Sequence, residues 1–227
     1  MHNPEMLMKT NRIILSTIAL LALLPGIAFG SSNIVRPIEE TFELKGISKI
    51  VVYTQGGYIN VTGEKRSDAH VRVEQIFRNA SENEADDLES LIEKTLETRG
   101  DTLYVEFKLD QPNSIWSFFG NKPSVNFNIT IATAKEMDVE LRTSGGPIEV
   151  ASLDGFVQAR TSGGGMKFRD IGGNLDGSTS GGGGVRTEFP IVMKGEIKRN
   201  QAEGPVNGGG PTLELKTSGG GISIKYL

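Results

Sequence analysis

Cysteine is absent from the 227-residue chain. That excludes disulfide staples, thiolate metal sites, thiol nucleophiles and a lipidated N-terminal cysteine. Histidine is nearly absent too, with only His2 and His70, so the usual zinc sites and nucleophile–histidine dyads have no residues to be built from. Positive charge is not in excess: 24 Lys and Arg stand against 28 Asp and Glu, a net −4 at pH 7. This composition argues against nucleic acid and against any general polyanion binder. Long apolar runs are scarce, and the one at Ile13–Leu24 covers 12 residues, short of the ~20 needed to span a membrane.

What precedes and follows that run gives it a meaning. Lys9 and Arg12 stand before it, Pro25 and Gly26 break it, and Ala28-Phe29-Gly30 places small residues where a signal peptidase reads. These features predict a signal peptide over 1–30, cleaved after Gly30, and a single domain over 31–227 without a membrane span. The alternative is an uncleaved anchor. The expected location is extracytoplasmic, either periplasmic or secreted.

Glycine, by contrast, is abundant, and it recurs in phase. Arg142-Thr-Ser-Gly-Gly-Pro-Ile, Arg160-Thr-Ser-Gly-Gly-Gly-Met, Ser178-Thr-Ser-Gly-Gly-Gly-Gly and Lys216-Thr-Ser-Gly-Gly-Gly-Ile repeat one pattern. Thr143, Thr161 and Thr179 are 18 residues apart, and Thr217 follows after 38, one period plus an insertion through the polar stretch Glu196–Glu203. Thr54-Gln-Gly-Gly-Tyr-Ile is a degenerate fifth copy. Apolar residues keep phase with the threonines: Ile50, Val139, Val157, Leu175 and Leu213 stand four before, and Ile59, Ile148, Met166 and Ile222 five after. Only the third full copy breaks phase, at Gly184 and Arg186.

Alternation within short runs separated by glycine corners is strand periodicity. A unit of this length cannot bury its own apolar face, so successive units must stack. The fold expected is mainly β, a β-solenoid or β-roll with ~18-residue rungs ~4.8 Å apart, its glycine triplets supplying positive φ at tight corners. One amphipathic helix is expected at about 82–98. Ser81 and Glu84 form a capping box, Leu88, Leu91, Ile92 and Leu96 have helical spacing, and Gly100 stops it. It would cap or flank the stack, protecting an open sheet edge.

These repeats, the segment Gly208–Ile224 and the export signal resemble the bacterial putative-adhesin domain family, over about 43–227. The resemblance implies a repetitive β architecture and an envelope setting, either adhesin-like binding or a role beside envelope-stress proteins. It implies no catalytic residues.

Several residue groups are candidates for function. One residue before the threonines, Arg142, Arg160 and Lys216 form a basic column, with Glu140, Gln158, Asp176 and Glu214 as an acidic column beside it. Such columns are either a solvated ladder of exposed pairs or a track for an anionic envelope glycan. Trp116, Phe118 and Phe119 crowd a Pro-bounded segment, which is either an aromatic contact loop or a plug for the end of the stack. Asp170 and Glu188, nine after their threonines, would lie on adjacent rungs about 5 Å apart, the separation of a retaining glycosidase pair. Any outward charged column gives such pairs, so no catalytic residues are assigned. Gly172–Asp176 departs from a calcium-roll motif at Leu175, and no phosphate-binding glycine motif occurs, so no metal or cofactor is expected. His70 reads as a solvent-facing strand residue. The expected function is an exported, non-enzymatic binding or structural module whose partner is an envelope glycan or envelope protein. The competing readings are an envelope carbohydrate-active enzyme and a regulatory partner of a stress system.

Overall fold

The computed structural model describes residues 33–110, 123–181, 183–188, 196–197, 201–205, 212–219 and 222–225. Strands dominate. The described residues open with β1 (Ile34–Glu43), β2 (Lys49–Thr54), β3 (Ile59–Glu64) and β4 (Asp68–Arg78), then the helix α1 (Glu82–Ser90), β5 (Ile92–Arg99) and β6 (Thr102–Leu109). It continues as β7 (Ser124–Ala134), β8 (Asp138–Thr143), β9 (Ile148–Leu153), β10 (Val157–Thr161), β11 (Met166–Ile171), β12 (Leu175–Thr179) and β13 (Val185–Glu188). Last come β14 (Glu196–Ile197), β15 (Gln201–Pro205), β16 (Thr212–Thr217) and β17 (Ile222–Lys225).

These strands form two mixed, open sheets, neither closed on itself. Sheet I runs β1-β4-β7-β3-β9-β11-β13-β17, and sheet II runs β14-β15-β16-β12-β10-β8-β2-β6-β5. From β8 onward the chain passes from one sheet to the other at each Thr-Ser-Gly-Gly corner. Like residues therefore stand beside like in parallel register: Thr54, Thr143, Thr161, Thr179 and Thr217 form one row of sheet II. Ile59, Ile148, Met166, Val185 and Ile222 form one row of sheet I. The inner faces share one apolar core, and each fully buried Val, Leu, Ile or Phe in it contributes ~1.5–3 kcal/mol.

The phase break at Gly184 and Arg186 is repaired by an inserted residue. The third corner carries one glycine more than the second, so Val185 pairs with Met166 and Arg186 with Lys167. Val185 thus points inward and Arg186 outward. The insertion that runs through Glu196–Glu203 supplies β14 and β15, an antiparallel pair laid beside β16.

Two expectations are corrected. The helix ends at Ser90, and Ile92–Arg99 is strand β5, antiparallel to β6. Ser81 and Glu84 do make the capping box, but Gly100, at φ 62°, is the first central residue of a two-residue hairpin turn, a position that favours glycine. Positive φ is also not what the corner glycines of the full copies supply, and among the described corner glycines only Gly57, in the degenerate copy, adopts it. Among the described glycines only Gly46, Gly57 and Gly100 adopt it. The corners need glycine because neighbouring backbones approach closely: a Cβ on Gly146 would lie 1.8 Å from the Gly57 oxygen.

Arg36 of β1 fastens α1. Its guanidinium meets Glu82 at 3.1 Å, Asp86 at 2.7 Å and Glu89 at 2.5 Å, over the ring of Phe77. Burial works against ionisation of Glu89, but hydrogen bonds from Arg36 and Lys94 outweigh it and hold the carboxyl below the ordinary 4.5. A depressed carboxyl stabilises the fold above the unfolded pKa and loses that contribution as pH falls through the folded one. Hydrogen exchange of the α1 amides should therefore rise at pH 3, after correction for the intrinsic rate, while the central strands stay protected. Equal protection of α1 at pH 3 and 7 would refute this.

The core also contains hydroxyls that gain nothing from burial. The Oγ1 atoms of Thr133 and Thr187 are buried without a hydrogen-bond partner among the described residues. An unpaired buried hydroxyl costs about 1–3 kcal/mol, and valine has nearly the same shape. Thr133→Val should raise stability by about 1 kcal/mol in urea unfolding. A loss of stability would mean that the hydroxyl has a partner.

Candidate functional site

The corner edge of sheet II is built by its threonines. Each is buried; the Thr54 hydroxyl donates within its own corner, to the Gly56 carbonyl, whereas the other four bridge two rungs. Thr143 donates to the Gly57 carbonyl at 3.1 Å, Thr161 to Gly146 at 2.9 Å, Thr179 to Gly164 at 2.8 Å and Thr217 to Gly183 at 3.3 Å. The Thr143 and Thr161 oxygens also accept from their own corners, Thr161 from the Gly164 amide at 3.1 Å. Hydroxyl and glycine are thus two halves of one contact, because only a rung without a Cβ comes near enough for this bond. The result is a rigid edge on which the preceding residue, pointing outward, is held in register.

That outward row reads Tyr53, Arg142, Arg160, Ser178 and Lys216 on β2, β8, β10, β12 and β16. Between it and the corner lies a cleft of about 360 Å³, lined by Tyr53, Arg142, Arg160, Ser178 and the corner residues Thr143, Ser144, Thr161, Ser162 and Ser180. The structure therefore brings Arg142 and Arg160 together on adjacent strands, ~4.8 Å apart. Lys216 lies in the same row outside the cleft, paired with Glu214.

The acidic row stands just behind. Arg142 is held by Glu140 at 2.7 Å, and Arg160 by Asp176 at 3.3 Å, each through one terminal nitrogen. Both arginine side chains remain about half exposed, at 51%, and a guanidinium has five N–H donors. Glu140 also takes Lys49 at 2.8 Å. That hydrogen bond is the main reason its carboxyl is held below the usual range, with Arg142 adding to the effect and burial opposing it. The cleft thus has two arginines with spare donors beside four serine hydroxyls, a geometry suited to a carboxylate, sulfate or phosphate.

Tyr53 and the serines were not singled out from sequence. Tyr53 was legible in principle, since it precedes Thr54 in the degenerate copy as Arg142 precedes Thr143. A smaller groove of about 240 Å³ on sheet I is lined by Glu149, Lys167 and Arg186 with corner residues. Its Lys167 is occupied by Glu188 at 3.2 Å.

The register does not set Asp170 opposite Glu188. Asp170 is left-handed, φ 51°, and the register sets Arg169, not Asp170, opposite Glu188. Trp116, Phe118 and Phe119 lie outside the described residues. His70 sits on β4 with its Nδ1 3.2 Å from the Thr41 hydroxyl. Among the described residues no cluster of three or more His, Asp or Glu could hold a metal ion, and no helix is long and apolar enough to cross a membrane.

No protein-family model matches the sequence, and neither does any curated protein. Solved structures similar to the chain include bacterial proteins described as putative adhesins and one described as a putative lipid binding protein. One is a putative cell adhesion protein from Clostridium sporogenes, with TM-score 0.45 and 16% identity, covering 85% of this chain and 100% of that one. A putative adhesin from Bacteroides fragilis gives TM-score 0.25 and 14% identity, covering 85% of this chain and 97% of that one. Another, from Parabacteroides distasonis, gives 0.30 and 9% over 67% of this chain and 65% of that one.

Proposed function

We propose that this chain is an exported, non-enzymatic β-solenoid module that binds a partner in the cell envelope, as an adhesin does, through the corner edge of sheet II. The carrying observation is the cleft in which Arg142 and Arg160 stand abreast with spare donors. The solenoid description is supported by the parallel threonine row and by the passage between sheets at each corner. Export is supported by the order of basic, apolar and small residues over 1–30. The non-enzymatic reading is supported by Glu188, which is engaged by Lys167 and displaced from Asp170.

The test is retention of the purified protein on immobilised envelope polysaccharide. Arg142→Gln with Arg160→Gln should reduce retention about tenfold or more, as loss of paired charge contacts does. Since both arginines are exposed, the melting temperature should barely change. Retention equal to wild type would reject the site. N-terminal sequencing of the exported form should begin at Ser31, and Met1 retained in a membrane pellet would reject the cleavage.

A further inference from the structure

We infer that the ligand of this face is an acidic polysaccharide lying across the strands, with one sugar ring stacked on Tyr53 and the acidic groups of the next sugars held by Arg142 and Arg160. This rests on the reading of the corner edge as the contact surface, and adds the chemistry and direction of what it contacts. Tyr53, Arg142 and Arg160 occupy consecutive strands β2, β8 and β10 in one register row. Consecutive strands are ~4.8 Å apart, close to the length that one pyranose adds to an extended chain. A chain of sugars following the row thus meets an aromatic ring, a cation and a second cation at successive residues.

The tyrosines of this face are not equivalent. Arg99 lies over the Tyr104 ring, 5.4 Å from its centre. Among the described residues no cation and no second ring covers Tyr53, which also lines the cleft. Tyr53 therefore offers a ring for stacking, with Arg142 as its immediate neighbour. The serine hydroxyls of the cleft both donate and accept, as sugar hydroxyls require.

The acidic row decides against a broad polyanion. Glu140, Asp176 and Glu214 run one step behind the basic row, so a duplex or a heavily charged surface would meet both signs at once. A single narrow chain confined to the corner edge meets only the basic row, the tyrosine and the serines.

Calorimetric titration of the purified protein with tetragalacturonate, cellotetraose and a single-stranded oligonucleotide tests the inference. The acidic sugar should bind at least about tenfold more tightly than the neutral one and more tightly than the oligonucleotide, and added salt should weaken it. Arg142→Gln with Arg160→Gln should erase that preference. Tyr53→Ala should weaken tetragalacturonate about tenfold, while Tyr53→Phe, which keeps the ring, should stay close to wild type. Equal affinity for both sugars, tighter binding of the oligonucleotide, or indifference to Tyr53→Ala overturns the inference. Should the acidic sugar fail while retention on envelope polysaccharide still depends on the two arginines, the ligand class falls and the contact surface stands. If that retention is also indifferent to them, the surface falls as well.

Discussion

Replacing Gly164 by alanine is expected to cost about 4 kcal/mol or more, enough to unfold a marginally stable domain. A Cβ at this position would lie 2.1 Å from the Gly146 oxygen, 2.3 Å from its carbon and 2.5 Å from the Pro147 nitrogen. All three are backbone atoms, so no side chain can swing aside. Relief requires the rungs to part, and parting them breaks the 2.9 Å bond from Thr161 to Gly146 and the 3.1 Å bond from Ile148 to Gly165. Overpacking alone costs ~1–3 kcal/mol, and each buried group left unpaired adds about 1–3 kcal/mol. Gly145→Ala is the control, because its nearest neighbour would be 3.8 Å away, an ordinary contact, and its cost should stay below about 1 kcal/mol. Urea unfolding of the two variants decides the matter. Similar midpoints would mean that the corners are not held by backbone contact.

The row of threonines was readable because a repeat with two 18-residue spacings and in-phase apolar residues admits few other arrangements. The reason for its glycines was not, since close approach and positive φ select the same residue and only the neighbouring rung distinguishes them. The helix was overextended for a comparable reason. Ile92 and Leu96 are four apart, a separation that lies on one face both at period 3.6 and at period 2, and Leu88 and Leu91 lead smoothly into them. What ends the helix is the pairing of Ile92–Arg99 with β6, a contact that local sequence does not contain.

Asp170 and Glu188 show how one backbone conformation shifts a predicted site. Ser152 and Asp170 are left-handed, φ 57° and 51°, and this lets Val150 and Leu153, three apart, both be buried. Counting from the threonine places Asp170 beside Glu188, whereas the extra glycine of the third corner moves Glu188 opposite Arg169. The basic column escaped this shift because it lies before the corner, where the copies have equal length. Arg142 and Arg160 were therefore found by counting, while the cleft beside them depends on where the serines turn.

Phe168→Ala should cost about 3–5 kcal/mol, the range for removing a fully buried ring, and its neighbour Gly177 explains why the ring is irreplaceable. Phe168 is 0% exposed on the inner row of β11. Gly177, on β12 of the opposite sheet, interrupts a column of Leu141, Ala159 and Leu215. A Cβ there would lie 3.2 Å from the Phe168 ring and 2.9 Å from a Leu215 methyl. The ring thus occupies the space that a larger residue at 177 would take, and two positions on different sheets share one volume. Gly177→Leu alone should overpack the site and destabilise it by ~1–3 kcal/mol. Combined with Phe168→Ala it should be tolerated better, because the new side chain fills the void. Residues that share a cavity couple by about 0.5–3 kcal/mol, so the double variant should be more stable than the sum of the single losses by about 1 kcal/mol or more. Urea unfolding of all four proteins gives the coupling directly. Strictly additive losses would show that Phe168 and Gly177 do not fill the same space.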